Sequence, residues 1–265
     1  MNDIHTAPIQ DGELFFEATG TGEPIFLIHA GFSDHRDWTY QIKDLCKQFR
    51  VIAYDQRGAG KSSIPTSAFW PAADLKSLMD HLTISKATLI GHSVGGTVAL
   101  DFALQYPERV SSLILIASGL NGYAWSEKYQ VWFQSIWNVP QADTMTKQTL
   151  SASFYSISLS NQNIKSEIEK ITRENIAKML TWKSLDVRSF AAEPISKLHA
   201  LNIPALVVYG SQDSHDIKQI AQLFHNYLPN VQTKEIPNAD HLLNFSNPTE
   251  LNTLIVDFLS NINEV

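Results

Sequence analysis

Short apolar runs recur along the chain at 24–29, 50–54, 87–90, 111–117, 204–209 and 231–236, each bounded by turn-forming residues. Runs of that length read as strands rather than helices. Between many of them lie stretches with apolar positions at helical spacing, at 38–49, 73–82, 97–106 and 217–228. Apolar strands alternating with amphipathic helices predict an α/β fold with a mostly parallel, doubly wound sheet covered on both faces. Residues 8–18 alternate around Asp11-Gly12, which predicts an opening hairpin. The last helix is expected to begin at Asn247-Pro248, a cap followed by a first-turn proline, and to bury Leu251, Leu254, Ile255 and Phe258.

One segment breaks this rhythm. Between 118 and 193 there is no clear strand, but there are helical stretches dense in aromatic residues, among them Trp125, Tyr129, Trp132, Phe133, Phe154 and Tyr155. Part of that aromatic content is needed simply to hold a small helical insertion together. An insertion at this point in an α/β sheet would also sit over the carboxyl ends of the strands, where ligands bind. The expected organisation is therefore a core of 1–117 and 194–265 with a helical cap at 118–193.

Composition narrows the function. The chain has 265 residues, 27 acidic and 20 basic, for a formal charge of −7. No basic cluster would track phosphates, so nucleic acid is not an expected partner. No apolar stretch approaches the roughly 20 residues that span a bilayer. The single cysteine, Cys46, cannot form an internal disulfide, and the first residues lack the blocks of a secretory signal, so the cytoplasm is the expected compartment. Composition carries nothing about oligomeric state.

The most specific motif is Gly91-His92-Ser93-Val94-Gly95, after the 87–90 strand and before a helical stripe that stops ahead of Pro107. This is the G-x-S-x-G pattern of a nucleophile elbow, in which a sharp turn brings the flanking positions so close that side chains there would collide. A serine hydroxyl needs a base to remove its proton, and the base needs a third group to orient it. Both candidates follow in the order this arrangement requires: Asp213 just beyond the 204–209 strand and His241 after the 231–236 strand. Asp216 and His215 share the loop with Asp213, which is favoured because it lies nearest the strand end. A developing oxyanion needs donors, and these are expected from the backbone N–H of Val94 and of Gly31, with Phe32 as the near alternative. Phe32, Trp125, Trp132 and Leu242 are expected to line the substrate pocket.

Other polar residues have plainer readings. Asp240 reads as a solvated loop carboxylate, Asp186 as a partner of Arg188, His92 as a residue packed under the elbow, and His29 as a strand-end residue that organises the next loop. Asp55-Gln56-Arg57-Gly58-Ala59-Gly60-Lys61-Ser62 ends like a phosphate-binding loop but has Asp55 where that motif requires glycine, so it reads as a tight turn braced by Asp55 and Arg57. The nine histidines show no metal-ligand spacing, and no metal is expected.

The His29-Ala30-Gly31 loop, the Asp55-x-Arg57-Gly58-x-Gly60-x-Ser62 turn, the Gly91 to Gly96 elbow, Gly210-x-x-Asp213, and His241 ahead of Asn247-Pro248 together resemble the α/β-hydrolase superfamily, in particular its small capped esterase, lactonase and haloperoxidase-like members. The resemblance runs from about Gly12 to Leu259. It implies Ser93 as nucleophile, Asp213 as acid, His241 as base, and no cofactor. Its aspartate-nucleophile branches are argued against by Ser93, and the glycine-rich loop of its carbon–carbon bond hydrolases is missing. The expected activity is hydrolysis of a small to medium, largely apolar carboxylic ester, lactone or thioester. A slow-turnover ligand receptor and a cofactor-free oxygenase are the alternatives the same fold admits.

Overall fold

The computed structural model describes residues 3–190 and 194–263. Strands β1 (Asp3–Ile9) and β2 (Gly12–Thr19) form the expected hairpin, turned at Asp11 with φ 60°. They are joined by β3 (Pro24–Ile28), β4 (Arg50–Tyr54), β5 (Ala87–His92), β6 (Val110–Ile116), β7 (Ala205–Gly210) and β8 (Val231–Ile236). All belong to one eight-stranded sheet of order β1-β2-β4-β3-β5-β6-β7-β8, antiparallel from β1 to β4 and parallel thereafter. Central β5 is buried at every position, as its apolar run requires. Edge strand β8 buries only Ile236 and alternates polar residues outward, consistent with a strand paired on one side.

Helices α1 (Thr39–Leu45), α2 (Pro71–His81) and α3 (Val94–Gln105) fill the early crossovers. Three more, α4 (Glu127–Ile136), α5 (Ala142–Thr149) and α6 (Gln162–Met179), all fall between β6 and β7, followed by α7 (His215–Tyr227), α8 (Leu243–Ser246) and α9 (Pro248–Asn263). Pro71 opens α2 at a first-turn position, two residues ahead of the predicted start. The helix predicted at 38–49 is shorter, because Asp34 caps a 3-10 turn at His35–Trp38 and α1 ends at Leu45. In α9, Leu251, Ile255 and Phe258 are buried and Leu254 is half-buried, close to the predicted face.

The helices between β6 and β7 are fastened to the sheet by buried polar groups as well as rings. The Asp216 carboxylate, at the start of α7, accepts from Ser126 Oγ at 2.6 Å, Ser126 N at 2.9 Å and the Tyr123 hydroxyl at 3.2 Å. On the opposite flank Asn175, Lys178 and Trp182 bond to the backbone of the 58–62 turn. Within that turn Asp55 accepts from Lys61 N, as expected, whereas Arg57 reaches out to Asp74 on α2 at 2.6 and 2.8 Å instead of bracing the turn locally. The domain boundary expected at 193 falls on 191–193, outside the described residues. Among the described residues no helix is long and apolar enough to cross a membrane.

Candidate active site

Ser93 sits at the end of β5 with φ 53° and ψ −113°, a left-handed conformation that costs a non-glycine residue about 1–3 kcal/mol. Its neighbours hold it there: Ser93 N–H donates to Ile116 O at 2.9 Å, and its carbonyl accepts from Gly96 N at 3.0 Å and Gly119 N at 3.2 Å. The crowding inferred from the motif is present. A Cβ on Gly91 would lie 2.3 Å from Gly95 O, and one on Gly95 would lie 2.0 Å from Ile28 O. Since both obstacles are backbone, Gly95→Ala is expected to destabilise the fold by about 3 kcal/mol or more, read as a lowered midpoint in thermal denaturation. A midpoint within a degree of the native one would mean the turn is looser than this geometry. Phe32 after β3 (φ 56°), Ala117 after β6 (φ 44°) and Asn238 after β8 (φ 53°) are likewise left-handed, so strained backbone gathers at the strand ends around Ser93.

Asp213 and His241 come from loops that interlock. A Cβ on Gly210 would strike Ala239 O at 2.4 Å, and Gln212 N donates to that same carbonyl at 2.9 Å, which brings the β7 and β8 loops together. As a result His241 Nδ1 lies 3.0 Å from each oxygen of Asp213, and His241 Nε2 lies 3.0 Å from Ser93 Oγ. Asp213 can only accept, so Nδ1 carries the proton and Nε2 is left to accept from the serine hydroxyl. That is the geometry in which a serine can lose its proton to a base held by a carboxylate. Of the loop neighbours weighed in the sequence, Asp216 serves the insertion as described and is not at the serine.

Asp240 departs from its reading as a solvated carboxylate. It is fully buried, accepting from Ser158 N at 2.7 Å, Ser158 Oγ at 2.6 Å and Leu242 N at 3.1 Å. The next residue, His241, donates its N–H to Phe154 O at 3.0 Å. The histidine loop is therefore bonded to the insertion at two consecutive residues. His29 behaves as expected: its Nδ1 faces Ala30 O at 2.8 Å and its Nε2 accepts from Gln56 N at 3.0 Å, which makes it a neutral ring with the proton on Nδ1. Asp186 pairs with Arg188 on the surface.

His92 is buried beneath the elbow, with Nδ1 3.0 Å from Asp37 Oδ2 and Nε2 3.0 Å from His241 O. Both partners are acceptors, so both ring nitrogens must donate and His92 is an imidazolium. Burial pulls its pKa down, but the charge and hydrogen bond of Asp37 outweigh it and the net shift is upward. Burial likewise pushes Asp37 up, and His92 and the Ala30 N–H bring it below the usual carboxylate value. Nothing in the sequence pattern marked Asp37, since its partners lie in three other segments. Asp34, His35 and Asp55 place possible metal-ligating atoms close together among the described residues. Their oxygens are engaged, Asp34 by Arg36 and Asn175, Asp55 by His35 and Lys61 N, so the cluster works as an ion-pair lattice.

A cavity opens above Ser93 between the strand ends and the insertion. Phe32, Trp132 and Leu242 line it, and so do Gly31 and Val94, the residues whose amides are the expected oxyanion donors. Gly31 stands against Val94, a Cβ there lying 3.2 Å from Val94 Cγ2. Val94 is the first residue of α3, so its N–H has no acceptor within the helix. Trp125 is a correction: it is not among the lining residues and instead stacks on Tyr129 at 4.0 Å, one layer behind the wall. The wall at that place is made by Tyr129 itself, with Phe133 and Tyr155. Tyr155 and Phe154 pack edge-on to His241, at 5.7 and 5.6 Å between ring centroids. Burial drives the Tyr129 hydroxyl up to about 12 and raises Tyr155 well above the usual phenol value, with nearby acidic groups adding to both. Both phenols are thus neutral donors at ordinary pH.

A model of the alpha/beta hydrolase fold family matches residues 23–248. The chain is similar, at 28% identity over 97% of its length and 95% of the relative, to a 2-hydroxy-6-oxononadienedioate/2-hydroxy-6-oxononatrienedioate hydrolase of Comamonas testosteroni. Among solved structures it resembles a thermophilic esterase of Thermogutta terrifontis at 27% identity, with a TM-score of 0.74 over 99% of both chains. It also superposes on carboxylesterase CesB of Bacillus subtilis with a TM-score of 0.82 at 19% identity, over 98% of this chain and 92% of that one.

Proposed function

Because the chain belongs to the alpha/beta hydrolase fold family, we propose that it is a serine hydrolase acting on small to medium, largely apolar carboxylic esters, with lactones and thioesters open to the same chemistry. The observation that carries this reading is the unbroken hydrogen-bond chain from Ser93 Oγ through His241 to Asp213. His241 Nε2 takes the Ser93 proton as Oγ attacks the carbonyl carbon, and the carbonyl oxygen becomes an oxyanion held by the amides of Val94 and Gly31. The tetrahedral adduct collapses as His241 returns that proton to the leaving alcohol. Water then repeats the sequence on the acyl-serine, releasing the acid and restoring the hydroxyl. In this reading the insertion acts as a cap that excludes solvent from the cavity.

The relative from Comamonas is named for a dioate substrate. A doubly charged acid needs cations where it binds, and among the described residues lining this cavity there is no lysine or arginine. Ring faces and the aliphatic side chains of Leu150, Ile168 and Ile171 dominate instead, which favours an uncharged ester. Brief exposure to a fluorophosphonate followed by intact-mass measurement tests the nucleophile directly. One covalent adduct is expected on the native protein and none on Ser93→Ala; an adduct that persists in the variant, or none on the native protein, overturns the reading.

A further inference from the structure

The cavity wall beside His241 carries two phenol groups whose hydroxyls serve no structural purpose. Tyr129 and Tyr155 both line the cavity, and among the described residues neither hydroxyl has a protein hydrogen-bond partner. The contrast within the same insertion is clear, since the Tyr123 hydroxyl bonds to Asp216 at 3.2 Å and the Trp132 indole N–H to Gln148 O at 3.2 Å. Neither Tyr129 nor Tyr155 oxygen is sealed off, unlike the Tyr54 hydroxyl, which is buried without a partner. Packing alone does not require them. The Tyr129 ring already stacks on Trp125 and Phe133, and the Tyr155 ring packs on Phe154, Trp132 and His241, contacts a phenylalanine would make equally well.

Resting on the proposed serine hydrolase reading, we propose that Tyr129 and Tyr155 form a hydrogen-bond-donor subsite for the alcohol part of the substrate, selecting esters or lactones that carry a second uncharged acceptor oxygen there. The side is set by the chemistry: His241 delivers its proton to the leaving alcohol, so that alcohol must approach His241, and Tyr155 packs directly on the His241 ring. The acceptor must be uncharged, because the wall offers neutral donors and no cation to compensate a buried carboxylate. A ketone, ether or amide oxygen there gives a phenol an acceptor, whereas a bare alkyl chain leaves it desolvated and unpaired.

The test compares pentyl butanoate with 4-oxopentyl butanoate and with 2-methoxyethyl butanoate, which share the acyl group and differ on the alcohol side, in a pH-stat assay of native protein, Tyr155→Phe and Tyr129→Phe. The native protein is expected to prefer one or both oxygenated esters by about tenfold in kcat/KM, chiefly through KM. Each phenylalanine variant should reduce that ratio toward one, with the pentyl ester affected far less. A native ratio near one, or variants that slow all three esters equally, overturns the subsite, the latter because it marks the rings as mere supports of His241. If native protein cleaves none of these esters and takes no fluorophosphonate, the hydrolase reading fails first and the subsite with it; labelling with turnover but without selectivity removes the subsite alone.

Discussion

Replacing Ser93 with alanine is expected to lower kcat on a p-nitrophenyl ester by about four to six orders of magnitude while KM changes little, because the lost group acts in the transition state and contributes almost nothing to ground-state binding. His241→Ala should cost about as much, and the double variant scarcely more, since Ser93 and His241 are joined at 3.0 Å and act as one unit. Asp213→Asn should lose somewhat less, about four orders of magnitude: an amide nitrogen facing Nδ1 favours the wrong tautomer but leaves the nucleophile in place. Steady-state rates on the single and double variants measure all three effects. A Ser93→Ala protein within tenfold of the native rate would remove the acyl-serine and leave chemistry in which His241 acts without a covalent intermediate. Additive losses in the double variant would mean that serine and histidine serve separate steps.

What the sequence made legible shares one property: its signals are local. The strand runs, the elbow glycines and the positions of Asp213 and His241 each depend on a few consecutive residues, and each appears in the structure where expected. Misreadings arise where partners lie far apart along the chain. Asp240 is buried only because Ser158, 82 positions away, folds back onto it. Trp125 and Tyr129 belong to the same aromatic run, and which of them faces the cavity is decided by how the insertion docks through Asp216, 90 positions beyond Ser126. An aromatic density in a sequence shows that a wall exists without showing which rings are its inner surface. Asp37 was invisible for the same reason.

Asp37 is the residue whose loss should damage the fold most. One carboxylate accepts from His92 Nδ1 at 3.0 Å, Ala30 N at 3.1 Å and Asn244 Nδ2 at 3.2 Å, and His92 passes the connection on to the His241 carbonyl at 3.0 Å. It therefore ties together the loop of Gly31, the strand leading to Ser93 and the loop of His241. Such a buried pair gains little over a well-packed apolar one, but removing half of it strands the other charge. Asp37→Asn should cost about 3–5 kcal/mol, since a carboxamide cannot compensate the imidazolium and a neutral His92 has one ring N–H to offer two acceptors. For a chain of this size that is a fall of roughly 5–10 °C in thermal midpoint. The pH dependence follows from the two directions of shift. Asp37 is lowered, so its contribution is present above the unfolded value of 3.8 and fades as pH falls through the folded one. His92 is raised, so its contribution is complete below 6.5 and fades as pH rises through its higher folded value. The pair should thus stabilise the native protein most between those limits, and thermal midpoints should decline on the alkaline side in a way that Asp37→Asn largely abolishes. A variant whose midpoint stays within 2 °C of native, or whose alkaline decline is unchanged, would show that His92 is neutral and that the three loops are held together by packing alone.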